Sequence, residues 1–174
     1  MMYVKMTVDE CSALALMLTQ QGVVDPQNYF KPPFIMEADG TVTILDEVEA
    51  DVKRIMSDPN WRTTGAHANL IGYADTVRRE KEDAPISVGG SEIAMDPVSR
   101  TESLVISMAA GTGTVLVNSY NEGIVRVDAG QLKASILNRL NSCRSVEGQV
   151  NSAIVQGSIS TQAEVDAQFA KGVP

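Results

Sequence analysis

The chain has 174 residues, 44% hydrophobic and 21% charged, which suits one compact domain with one or two appended segments. Against 22 Asp and Glu there are 14 Lys and Arg, and the resulting net charge of −8 repels phosphate backbones and argues against nucleic-acid binding. No apolar run approaches the roughly 20 residues of a membrane span, and the opening Met-Met-Tyr-Val-Lys-Met-Thr leads into a capped helix rather than reading as a secretion leader.

Aromatic residues make up only 5% of the chain, so the core must rest on aliphatic side chains. Thr7-x-x-Glu10 is a capping box, in which hydroxyl and carboxylate satisfy orphan backbone donors at a helix start. Cys11, Leu14, Ala15 and Leu18 then share one helical face, and Gly22 can supply a left-handed stop. Asp25-Pro26 and Pro32-Pro33 bracket Tyr29 and Phe30, and residues 23–36 read as an extended linker. Such a segment either lies across a partner or is pinned to its own domain by Phe30 and Phe34. Thr41-Val-Thr-Ile44 reads as a short strand or as the approach to a helix. From Asp46 the spacing is helical, with Val48, Val52, Ile55 and Met56 as a stripe that Asp58-Pro59 ends. A second helix is expected from about Ala66 to Glu82, its apolar face being Ala66, Leu70, Tyr73 and Val77.

The character changes at Pro85. Ile86-Ser87-Val88 and Glu92-Ile93-Ala94-Met95 flank Gly89-Gly90, a hairpin signal. Asp96-Pro97 reads as an N-cap with proline at the first helical position. That helix is expected to turn Thr101, Leu104, Val105 and Met108 inward and to stop near Gly111. Residues 114–120 and 124–127 form a second hairpin around Asn121-Glu122-Gly123. Asp128-x-x-Gln131 opens a helix with Leu132, Ile136, Leu137 and Leu140 as its core face. A further helix is expected over Val146, Val150, Ile154 and Val155. Thr161-x-x-Glu164 caps a last one holding Val165 and Phe169. The fold class is therefore α+β: a helical arm with a Pro-containing linker over 1–84, then a compact ββαββααα domain with short antiparallel hairpins over 85–174.

Nucleophilic catalysis needs a base beside its nucleophile. His67 is the one histidine, in Gly65-Ala66-His67-Ala68-Asn69, and reads as a surface or interhelical residue. Cys11 and Cys143 read as small buried hydrophobes in a reducing compartment. One His and two Cys cannot fill the four positions of a structural zinc site. Gly111-x-Gly113-Thr114 lies between a helix and a strand, the reverse of the order a phosphate loop requires. Asp58-Pro59-Asn60 lacks the alternating ligands of a calcium loop. No catalytic, cofactor-binding or metal-binding residue is assigned, and no enzyme is expected.

Several segments from Arg78 onward are ordered in a recognisable way. Arg78-Arg79-Glu80 precedes Ile86-Ser87-Val88-Gly89-Gly90. Asp96-x-x-Ser99-Arg100 opens a helix, and a strand pair ends in Val125-Arg126-Val127-Asp128-Ala129-Gly130-Gln131-Leu132. The close runs from Ile154 through Thr161 to Val165. This order resembles the C-terminal domain of unknown function found in tail-fibre and baseplate-region proteins of tailed bacteriophages, over roughly the last hundred residues. Where that family often has a tryptophan in the second hairpin, this chain has Asn118-Ser119-Tyr120. The resemblance implies a structural virion component, made in the host bacterial cytoplasm and residing in the tail. Its expected partners are other tail or baseplate proteins and its own copies, as a trimer by family analogy, with no nucleic acid, membrane or cofactor. The alternative is a tail-fibre assembly chaperone absent from the mature virion. Expected interface residues are Leu14, Leu18, Tyr29, Phe30, Val52, Ile55, Leu70 and Tyr73, with Trp61 either a plug in the helix turn or an interface anchor.

Overall fold

The computed structural model describes residues 1–25 and 33–173. Tyr29 and Phe30 lie outside the described residues. The fold is α+β, in two compact units, Met1–Gly72 and Tyr73–Pro174. The division falls within one helix, ahead of the composition change at Pro85.

The first unit holds β1 (Met2–Lys5), α1 (Val8–Gln20), β2 (Phe34–Met36), β3 (Thr41–Ile44), α2 (Asp46–Met56) and the first turns of α3 (Trp61–Asp83). β3 is the central strand of an antiparallel sheet ordered β1-β3-β2, with Val42 opposite both Val4 and Met36. Thr41–Ile44 is thus a strand, and Phe34–Met36, expected within the linker, is another. The opening residues pair as β1 because Val42 and Ile44 present a mate about 40 positions away, which no local pattern announces. The α1 capping box forms, with Thr7 Oγ1 accepting from the Glu10 N–H and Glu10 accepting from the Thr7 N–H. At the other end Gly22 takes φ +70°, and the Val23 N–H donates to the Leu18 carbonyl, closing a Schellman motif. Leu14, Leu18, Val42, Ile44, Val52, Ile55 and Trp61 close into one buried core. Each fully buried Leu or Ile there contributes about 1.5–3 kcal/mol. This half is therefore a sheet with its own core as well as a set of helices.

The second unit holds the rest of α3, β4 (Ile86–Val88), β5 (Ser91–Ile93), α4 (Pro97–Ala110), β6 (Thr114–Asn118), β7 (Ile124–Asp128), α5 (Ala129–Val155) and α6 (Gln162–Gly172). Both expected hairpins form, β4 with β5 and β6 with β7. They are joined by a single bridge from Ile93 to Ser119, backed by Ala94 N–H to the Asn118 carbonyl and Tyr120 N–H to the Glu92 carbonyl. Val115, Val117 and Val127 point inward onto Leu132 and Ile136 of α5. The order here is ββαββαα. The two helices expected over 128–155 are one 27-residue helix. The Ser and Gly residues between the stripes are tolerated because Cys143, Val146, Val150 and Ile154 continue the buried stripe of Leu132 and Ile136 through them. Val165 and Phe169 bury α6 against α5.

Candidate interaction surface

Helix α4 departs furthest from expectation, and the departure creates a surface. Asp96 caps it, accepting from the Val98 and Ser99 N–H groups at 3.1 Å each, with Pro97 following as expected. Its inward face is polar and small: Ser103 is 2% exposed and Ser107 1%. Its outward face is largely apolar, with Val98 66% exposed, Val105 61% and Met108 64%, beside exposed Thr101 and Glu102. Of the four residues expected inside, only Leu104 is partly buried, while Thr101, Val105 and Met108 face solvent. The helix is rotated roughly 100° about its axis from the orientation its greasiest stripe would choose.

Arg100 lies on the inward side of the helix. Its Nη1 donates to Asp83 Oδ1 at 2.9 Å and to the Glu82 carbonyl at 3.3 Å. Ser103 and Ser107, three and seven positions on, are buried on the same side of the helix. Small side chains there permit close packing of α4 along α5 and β6. The Ser107 hydroxyl is satisfied locally, donating to the Leu104 carbonyl at 2.9 Å.

The outer face of the second hairpin extends this surface. Strand alternation turns Val115 and Val117 in and Leu116 out, with Ile124 also exposed on β7. Ile106, Leu116 and Ile124 line an open groove of about 130 Å³ between helix and hairpin, together with Glu102 and Asn118. Arg126 stands directly across from Leu116 in the ladder. A second cleft, of about 500 Å³, lies where α6 meets α5, lined by Val146, Val150 and Ile159 with Lys171 as its one charged group.

Five of the residues expected at an interface are buried within the first unit. Leu14, Leu18, Val52, Ile55 and Trp61 meet in the core of the first unit. There the β1-β3-β2 sheet supplies the apolar cover that the helices alone lack, and Trp61 acts as a plug. Leu70 and Tyr73 are half-buried, and the Tyr73 hydroxyl donates to Asp166 Oδ1 at 2.9 Å. Cys11 and Cys143 are buried free thiols, and burial raises the pKa of both. His67 is half-buried on α3. Among the described residues no group of three or more His, Cys, Asp or Glu is arranged to hold a metal, and no helix is long and apolar enough to cross a membrane. The outward apolar face of α4 was missed because Val105 and Met108 look like core in sequence. The available signal was Arg100 with Ser103 and Ser107, a polar stripe at helical spacing.

Comparison with protein-family models, with curated proteins and with solved structures returns no match to this chain.

Proposed function

We propose that the chain is a structural component of a tailed-phage virion, in the tail-fibre or baseplate region, acting by protein–protein assembly and not by catalysis. The observation that carries the assembly reading is α4 itself, a helix that keeps serines inside and sets Val98, Val105 and Met108 in solvent. A continuous exposed apolar face of this kind has a cost in solubility and is a mark of protein contact surfaces. The phage setting comes from the ordered sequence resemblance from Arg78 onward. Assembly with other tail proteins and residence in the virion follow from the two together.

The test is mass spectrometry of purified virions, with and without Val105→Glu in this chain. Stoichiometric presence of the unaltered chain, and its loss from particles carrying the variant, is the expected result. Absence of the unaltered chain from finished particles, with defective tails when its gene is deleted, would replace this reading with the assembly-chaperone alternative.

A further inference from the structure

We infer that the outer face of α4 and of the β6–β7 hairpin is covered by a second copy of this chain, α4 packed antiparallel on α4 about a twofold axis. The inference rests on the assembly reading above and names the partner of that same surface.

Three features select a second copy. The two charges on this face, Glu102 and Arg126, cancel, although the chain as a whole carries −8, so self-association through it brings no net like charge together. Val98, Thr101, Val105 and Met108 fall at three- and four-residue intervals, the spacing of a helix-to-helix seam. The area also suffices. From their exposures, Val98, Val105, Ile106, Met108, Leu116 and Ile124 offer on the order of 500 Å² per copy, so two copies reach the roughly 1,000 Å² of a specific contact.

The charges that do border the face are self-complementary. Glu102 lines the groove and Arg126 stands beside Leu116, and among the described residues neither forms an ion pair. In a twofold contact every cross-interface pair occurs twice. Glu102 of one copy then meets the Arg126 of the other, and the reciprocal pair forms with it. An acidic or a basic partner protein would find one of these two groups matched and the other opposed.

The experiment is sedimentation equilibrium of the full chain from about 1 to 100 μM, the range in which weak specific dimers dissociate. The expected result is a dimer whose dissociation constant rises at least tenfold in Val105→Glu, with the thermal midpoint of the variant equal to that of the unaltered chain at concentrations low enough for both to be monomeric, because Val105 is exposed. Glu102→Arg alone and Arg126→Glu alone should each weaken the dimer, and the two together should restore it. A monomeric unaltered chain at 100 μM, a trimer, or a dimer indifferent to Val105→Glu would each overturn the inference. Those outcomes leave the virion measurement free to stand or fall separately, since a face occupied by another tail protein still depends on Val105 for incorporation.

Discussion

Ser107 and Met108 are adjacent in the chain and opposite in burial, the serine interior with its hydroxyl bonded to Leu104, the methionine in solvent. In an ordinary amphipathic helix the larger apolar residue would be the one that matters for stability. Here Ser107→Leu should cost about 1–3 kcal/mol, because the added volume must be forced into a contact closed around a hydroxymethyl group. Met108→Ser should stay within about 0.5 kcal/mol of the unaltered chain. Urea unfolding of the two variants decides the orientation of α4, and the reverse ranking would mean that the helix is turned the other way.

In the first unit, α1 and α3 touch at Gly65 and Ala13. A Cβ built on Gly65 would lie 2.5 Å from the Ala13 Cβ, a distance real side chains do not tolerate. Helix propensity alone favours Gly65→Ala by about 1 kcal/mol. Crowding should outweigh it, leaving a net loss of about 1–3 kcal/mol. Exchanging the pair, Gly65→Ala with Ala13→Gly, should recover most of that loss. A thermal melt of the single and double variants measures the coupling, and additive effects would show that the helices are not in contact there.

Arg78 is the hub of an ion network in the second unit. It reaches Asp75 at 2.5 Å, Glu82 at 2.8 Å and Glu147 at 3.1 Å. Glu82 is buried, and among the described residues its Oε1 has only Arg144, at 4.0 Å. Arg78→Met should therefore cost about 3–5 kcal/mol, most of it the penalty of a buried carboxylate without its cation. Adding Glu82→Leu should return a large part of that. Chemical denaturation of both variants checks this, and a double variant no more stable than the single one would contradict it.

Acid should weaken the first unit through Glu10. The Thr7 backbone N–H, donating at 2.9 Å, and the Arg62 guanidinium beside its other oxygen hold the Glu10 carboxyl below its ordinary value of 4.5. A carboxyl whose folded pKa lies below its unfolded one stabilises fully above the unfolded value, and that stabilisation is lost as pH falls through the folded value. Stability should thus decline below about pH 4.5. Glu10→Gln keeps a cap but has no carboxyl to titrate, so its stability should be lower at pH 7 and less dependent on pH. Unfolding curves at pH 7 and pH 4 for both proteins provide the comparison, and parallel pH profiles would remove Glu10 as a source of the acid sensitivity.

Local chemistry was readable without a structure, and tertiary balance was not. Thr7 and Glu10, Asp96 and Pro97, Asp128 and Gln131, and Thr161 and Glu164 act within one helical turn, and each starts its helix where the residues say it should. The glycines between the short β runs turn both hairpins for the same short-range reason. The strand Met2–Lys5 exists only because Val42 and Ile44 come to meet it, and the apparent interface residues Leu14, Val52 and Trp61 are interior because that sheet covers them. The rotation of α4 was decided by how its sides fit against α5 and β6. Val105 and Met108 would each gain from going inside, but only one face of the helix can. The side that goes in carries the small Ser103 and Ser107, with Arg100 beside them paired to Asp83, an acid 17 positions earlier in the chain. Segments far apart in sequence meet only after the chain has collapsed, so the choice of helix face belongs to the assembled structure.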